Sequence, residues 1–507
     1  MNRASRTQSS ARNIIFGISK NIVLMLIAFI SRRLFIIYIG IEYLGINGLF
    51  SNILSLLSMA DLGFGTAMSF SFYKPLAEND TRKLSALINF YKVVYRIIAG
   101  GIAVIGVMII PFLDVIINLD KPIPHLVIYY LIFLSNTVVS YLWVYKSSII
   151  TADQKNYIVD KLTIFVNVVK MIIQCLAIFI FRNYVVYIVL NVVATIINNI
   201  IISCEADKLY PFLKEKNVLE KEEKKQIFNN LKSVFIYKIS GSLLNSIDNI
   251  VISMCISTVA VGLYSNYFTV TSSLTSFITI LFTSLTASVG NLIVKESAEQ
   301  RYQVFQLSQR ISFWLSGFVT VCTFLLIPDF IQLWLGKSFD LGYAMSAAVA
   351  LNLFFSTSMQ PIWIFREATG LYRRTKYIMF VAAGINLVLS VLFAYKLGIP
   401  GVIFATILSR IVTYFWYEPK ILFKEFFNQK VVGYYRDYFF NVLLILGCGG
   451  LLNRAFTILF HEVSIGVWIA KAVISGIIIN LVYFLLNIKN GTVSNIINRI
   501  KSMCSKQ

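Results

Sequence analysis

The chain has 507 residues, 57% of them hydrophobic and 14% charged, with a mean hydropathy of +0.75. A soluble globular domain carries nearer ~25% charged residues, so this composition excludes that class and indicates an integral membrane protein. The 45 Lys and Arg against 24 Asp and Glu leave a net charge of +21, which in this setting belongs to short loops beside anionic lipid and implies no nucleic-acid partner.

The apolar runs are long enough to cross a bilayer as helices, which takes about 20 residues, where a β-barrel would show short alternating strands. Taken in chain order they predict fourteen spans, at roughly 21 to 39, 44 to 72, 93 to 117, 125 to 145, 162 to 181, 184 to 204, 234 to 255, 262 to 291, 311 to 333, 343 to 365, 377 to 395, 398 to 417, 439 to 459 and 464 to 486. The fold class is therefore all-α, a polytopic membrane helix bundle. Of the 45 Lys and Arg, 34 fall in one set of alternate loops, five in the other and six in spans. The positive-inside rule then places both termini in the cytoplasm. The first span carries Arg32 and Arg33 and lacks a small-residue cleavage site, so it is expected to be retained.

An internal repeat organises these spans. Gly48-Leu49-Phe50-Ser51-Asn52 near the outer start of span 2 recurs as Gly262-Leu263-Tyr264-Ser265-Asn266 at the same place in span 8. Six spans separate the copies, so the expected halves are parallel repeats. They are residues 1–204 and 234–417, joined by a charged linker, 205–233, and followed by an extra helix pair and tail, 418–507.

Polar groups within spans are the candidate functional residues, because a charge there is costly and normally faces a cavity or a partner. In span 1, Arg32 and Arg33 suit phosphate recognition or snorkelling to the outer headgroups; adjacent residues point about 100° apart, so one is expected to face the lumen. Lys170 with Gln174 at i+4 forms an inward polar stripe in span 5. Asp248 in span 7, near Asn245, and Asp61 in span 2 are candidate carboxylates for coupling to a proton or sodium ion, or for pairing. Arg96 and Arg410 lie near the cytoplasmic rim, where snorkelling is the default. In span 8, Thr269, Ser272, Ser276 and Thr279 recur at helical spacing, as a groove for sugar hydroxyls or a close-packing seam. Asn52, Asn136 and Asn266 complete the expected polar lumen. His125 and His461 sit at outer span ends. No metal spacing, nucleotide loop or nucleophile motif is present, so neither a cofactor nor an enzyme activity is expected.

The span-2 pattern Glu42-Tyr43-Leu44-Gly45, Gly48 to Asn52 and Asp61-Leu62-Gly63-Phe64-Gly65, with Ser246-Ile247-Asp248-Asn249-Ile250-Val251-Ile252 in span 7, resembles the polysaccharide flippases of the multidrug/oligosaccharidyl-lipid/polysaccharide exporter superfamily. The two six-span halves plus a hairpin agree with this, and the resemblance covers nearly the whole chain. It implies a polyprenyl-diphosphate oligosaccharide as substrate, flipped between leaflets by alternating access in a bacterial plasma membrane. It also implies a cationic lumen, to which Arg32 or Arg33 and Lys170 fit, and polysaccharide polymerase and glycosyltransferase partners. The related lipid II flippases carry basic residues in span 8, where this chain has hydroxyls. A multidrug cation antiporter of the same superfamily would favour twelve spans and an acidic lumen. A membrane polymerase or ligase would need a large outer loop, and this sequence has none.

Overall fold

The computed structural model describes residues 6–58, 64–119, 123–225, 227, 246–283, 289, 297–369 and 371–489. They are overwhelmingly helical, with no strand among the described residues. In chain order the helices are α1 (Arg6–Tyr38), α2 (Ile41–Leu57), α3 (Phe64–Glu78), α4 (Thr81–Ile109), α5 (Leu113–Ile116), α6 (Leu126–Tyr141), α7 (Val144–Ala152), α8 (Asn156–Phe181) and α9 (Tyr184–Leu209). There follow α10 (Ser246–Cys255), α11 (Thr258–Thr283), α12 (Ala298–Leu335), α13 (Gly342–Ser358), α14 (Gln360–Ala368), α15 (Tyr372–Val412), α16 (Tyr414–Leu422), α17 (Val432–Leu459) and α18 (Ile465–Lys489).

Among the described residues, 8 helices are long and apolar enough to cross a membrane, or 9 if α6 and α7, bent by 44° at their junction, are one span. The expected span 2 corresponds to two helices, α2 and α3, and span 10 to α13 and α14. Pro361 at the start of α14 explains the second break, since proline has no N–H to continue the helical ladder. Spans 11 and 12 are the two arms of α15, which turns at Gly398 (φ 64, ψ −145), a left-handed backbone that glycine adopts without a Cβ clash. Arg182, between α8 and α9, is also left-handed (φ 47). Breaks toward the ends of the expected spans 4 and 10, and left-handed turns after spans 5 and 11, thus recur at nearly the separation of the two pentapeptides.

The chain divides into two compact units. The first comprises Met1–Ser265 with Met379–Leu387, the second Asn266–Ile378 with Val388–Gln507. In the first, α1 packs along α8, α8 on α9, α9 on α6, and α6 on α4. Many buried large side chains there are aromatic: Tyr91, Tyr95, Tyr130, Phe35, Phe50 and Phe72 are almost wholly enclosed, with Phe35 edge-on to Tyr184 and Tyr187. At one end, the Tyr210 hydroxyl donates to Asp153 at 2.7 Å, tying the turn after α7 to the end of α9.

In the second unit, α12 is the central strut, packed against α13, α17 and α18. Ser297 and Gln300 form a reciprocal cap at its start. Helix α18 is fastened to it by the Lys471–Asp329 ion pair (2.7 Å), by Trp468 Nε1 donating to the Leu326 carbonyl (3.2 Å), and by Trp314 Nε1 donating to Asn480 (2.9 Å). Arg410, for which the sequence suggests snorkelling, is instead 7% exposed and donates to Asn352 (3.0 Å) and Ser356 (3.1 Å). Two polar acceptors on α13 hold it inside, which removes the reason to reach outward.

A second buried cation, Arg366 on α14, is ion-paired with Glu418 on α16, both almost fully enclosed. Removing one partner of a buried pair strands the other charge at a cost of about 3–5 kcal/mol, while replacing both by apolar residues costs much less. Glu418→Leu is therefore expected to lower the detergent melting temperature sharply, and Arg366→Met combined with Glu418→Leu to recover most of it. Additive losses in that double-mutant cycle would show that the pair is not coupled.

Candidate functional site

The first unit contains a half-open cavity of about 560 Å³. Six helices line it, five of them with one face each, because residues three or four apart lie on the same side of a helix. Helix α1 contributes Ser31, Arg32 and Phe35, and α2 contributes Asn47, Gly48 and Ser51. Asn136 comes from α6, and Asn167, Lys170 and Gln174 from α8. Tyr187, Asn191 and Thr195 on α9 follow the same spacing, and Ser265 enters from the first part of α11.

Arg32 is fixed in this wall by a hydrogen bond from Nη1 to Ser265 Oγ, 2.9 Å long. Ser265 in turn donates to the Gly262 carbonyl at 2.7 Å, so its lone pairs remain for the guanidinium. Gln174 is 3% exposed and its amide nitrogen is committed to the Tyr187 carbonyl at 3.0 Å. Thr195 donates to Asn136 Oδ1 at 2.8 Å, and Tyr184 to Asn47 Oδ1 at 2.7 Å. Lys170 is half-buried, four residues before Gln174 on the same face. Among the described residues the lining therefore holds two cations, five side-chain amides and several hydroxyls, and no carboxylate. Such a surface favours an anion through charge-assisted hydrogen bonds and offers amides for hydroxyl groups around it.

Of the residues singled out from sequence, the fold brings Arg32, Lys170, Gln174 and Asn136 to one cavity. Arg33 is exposed on the other side of α1. Asn52 turns back on its own helix, donating to the Gly48 carbonyl at 2.8 Å, and Asn266 is fully buried. Asp248 is buried on α10 and is not among the cavity residues. Asp61 and Asn245 lie outside the described residues. The α11 hydroxyls belong to the second unit and bond largely along their own helix: Ser272 to the Thr269 carbonyl (3.2 Å) and Ser276 to the Ser272 carbonyl (2.8 Å). Thr279 differs, accepting from Gln360 at 3.2 Å.

Sequence reading missed Asn47, Asn167, Asn191, Thr195 and the two serines of the pentapeptide. Asn167 was detectable, since 167, 170 and 174 form one stripe at spacings of three and four. The pentapeptide contributes Gly48 and its two serines, Ser51 and Ser265, and neither of its asparagines is among the lining residues.

With this geometry in place, comparison with known proteins is informative. The family model for polysaccharide biosynthesis protein matches residues 10–287, more than half of the chain. The chain belongs to the polysaccharide biosynthesis protein family. The matched region contains the whole lining of the Arg32 cavity. Among solved structures, the family member is similar to the lipid II flippase MurJ in an inward closed conformation, with a TM-score of 0.69 and 14% identity over 94% of this chain and 99% of that one. It is also similar to an inward-facing multidrug resistance MATE family transporter of the MOP superfamily, with a TM-score of 0.56 and 15% identity over 80% and 97% of the two chains. A MOP superfamily transporter from Pyrococcus furiosus, described as having a binding pocket of reverse polarity that suggests a different function, gives 0.56 and 15% over 82% and 95%. A search of curated protein sequences finds no match. At these identities the likeness establishes the fold, which flippases and multidrug transporters share.

Proposed function

We propose that this protein is a flippase for a lipid-linked oligosaccharide, moving polyprenyl-diphosphate-linked glycan units from the cytoplasmic to the outer leaflet for cell-surface polysaccharide. The observation that carries this reading is the cavity lined by Arg32 and Lys170 with no carboxylate among its described lining residues. A diphosphate leaving the headgroup region needs buried positive charge, and a guanidinium matches phosphate geometry. Cavities of ~300–1000 Å³ suit small-molecule ligands, so 560 Å³ accommodates the diphosphate and the first sugars, with the amides meeting sugar hydroxyls. A cationic drug would meet repulsion in the same place, which weighs against a multidrug antiporter.

Each parallel six-helix half would then act as one arm of an alternating-access machine, with both termini in the cytoplasm of a bacterial plasma membrane. Buried Asp248 is the candidate coupling carboxylate for a proton or sodium ion. Polymerase and glycosyltransferase partners would consume and supply the lipid-linked unit.

The test is reconstitution. Proteoliposomes loaded in the inner leaflet with a polyprenyl-diphosphate oligosaccharide are expected to expose the glycan to an external lectin far faster than protein-free vesicles. Transport of a cationic dye with no glycan transfer would establish the antiporter reading instead.

A further inference from the structure

A second cavity, of about 320 Å³, lies wholly in the second unit, between the first turns of α12, the start of α17 and the end of α18. It shares no residue with the Arg32 cavity. We propose that it seats the headgroup of a bilayer glycerophospholipid, one whose phosphodiester is flanked by a hydrogen-bond donor.

Gln309 carries the argument. It is 4% exposed and lines the cavity, and its amide nitrogen is used by the Ser358 carbonyl at 2.9 Å. Its carbonyl oxygen is buried with no partner among the described residues. A buried acceptor left unpaired is costly, so this oxygen calls for an N–H or O–H donor from whatever fills the space. The amide nitrogens of Asn441 and Asn487, on the same wall, are spent within their own helices, on the Asp437 carbonyl (2.7 Å) and the Tyr483 carbonyl (2.8 Å). The Tyr483 hydroxyl, also on the wall and without a partner among the described residues, can donate or accept, so the interior offers one open acceptor and one hydroxyl.

The rim is cationic. Arg310, Arg436 and Asp437 line the cavity; Arg436 pairs with Asp437 at 3.3 Å, leaving the three with one net positive charge, and stands beside Phe440, which is 50% exposed on α17. Guanidinium groups next to an outward aromatic ring mark the level where lipid phosphates meet acyl chains. A ligand satisfying both parts has an anion for the arginines and a donor one or two bonds further in for Gln309. Phosphatidylethanolamine and phosphatidylglycerol have both. Phosphatidylcholine has the phosphate but no donor, and inorganic phosphate has no acyl chain to hold it at the rim.

Native mass spectrometry of the full chain released from micelles doped with one lipid at a time tests this. One tightly held phosphatidylethanolamine or phosphatidylglycerol is expected, retained at least about fivefold better than phosphatidylcholine. Gln309→Leu should abolish that preference. Gly433→Phe should lower retention of all three lipids with an unchanged melting temperature, because a Cβ at Gly433, on the cavity wall, meets no atom within 4 Å and leaves the ring to enter the cavity. Equal retention of phosphatidylcholine, undiminished retention by the Gly433 variant, or displacement of the lipid by millimolar inorganic phosphate would each overturn the proposal.

Discussion

Arg32→Ala is expected to slow glycan transfer in proteoliposomes by at least about tenfold, and Lys170→Ala by a similar factor, while Arg33→Ala stays within about twofold. A charge-assisted hydrogen bond contributes about 1.5–3 kcal/mol, which converts to roughly 10- to 150-fold if it is made to the moving phosphate. Arg32 and Lys170 share the cavity lining, whereas Arg33 is exposed one residue further round α1. Arg32→Lys keeps the charge but loses the planar fork that reaches Ser265 while presenting further N–H groups to a ligand. It should fall between wild type and alanine. Ser265→Ala leaves the charge in place and removes only one hydrogen bond of the guanidinium, so a smaller loss, a few-fold, is expected there. Equal rates for the Arg32, Lys170 and Arg33 alanine variants would remove the cationic cavity from the mechanism.

The contrast between Arg32 and Arg33 shows how far the sequence could be read. Charge within a span marks a candidate, and helical geometry says that neighbours cannot share one small site, but choosing between them needs the partner helices. Lys170 and Gln174 were legible because their spacing alone puts them on one face of α8. The fold class was legible for the same reason that composition excludes a soluble protein. Where α2 and α3 separate, and where α6 and α7 bend, was not legible, because apolar runs continue through both places. Asn47 and Asn191 were missed since an amide in a span is ambiguous until something on a neighbouring helix meets it; for Asn47 that group is the Tyr184 hydroxyl. The hydroxyls of α11 read equally as a sugar groove or a packing seam, and Ser272 and Ser276 donate to their own backbone. Small hydroxyl side chains in apolar helices commonly do so, because no water competes for the carbonyl.

Gly45→Ala is expected to cost more stability than any other single methyl group added at a glycine of α2. A Cβ at Gly45 would stand 2.0 Å from the Thr258 carbonyl oxygen, and one at Gly262 would stand 2.8 Å from the Ile41 carbonyl oxygen. The starts of α2 and α11 thus cross backbone to backbone, each through a glycine, as small residues permit in membrane helices. Thr258 cannot retreat easily. Its N–H donates to the Asn118 carbonyl at 2.7 Å, its hydroxyl accepts from the Asn118 N–H at 3.0 Å, and Ser253 lies 2.8 Å from that hydroxyl. Overpacking of this kind costs about 1–3 kcal/mol where neighbours can repack, and more against fixed backbone. The detergent melting temperature should therefore drop by several degrees or more. Gly48→Ala, which would meet only the Val261 side chain at 3.1 Å, should be milder. Gly447→Ala in α17 meets nothing within 4 Å and should be neutral or slightly stabilising, since glycine costs a helix about 1 kcal/mol relative to alanine. Ser265, the partner of Arg32, lies two turns beyond Thr258 on the same helix. Any Gly45→Ala protein that survives should hence carry a displaced Ser265 and a transfer rate reduced toward that of Ser265→Ala, an outcome that simple loss of folded protein, corrected for by counting folded molecules, would not produce.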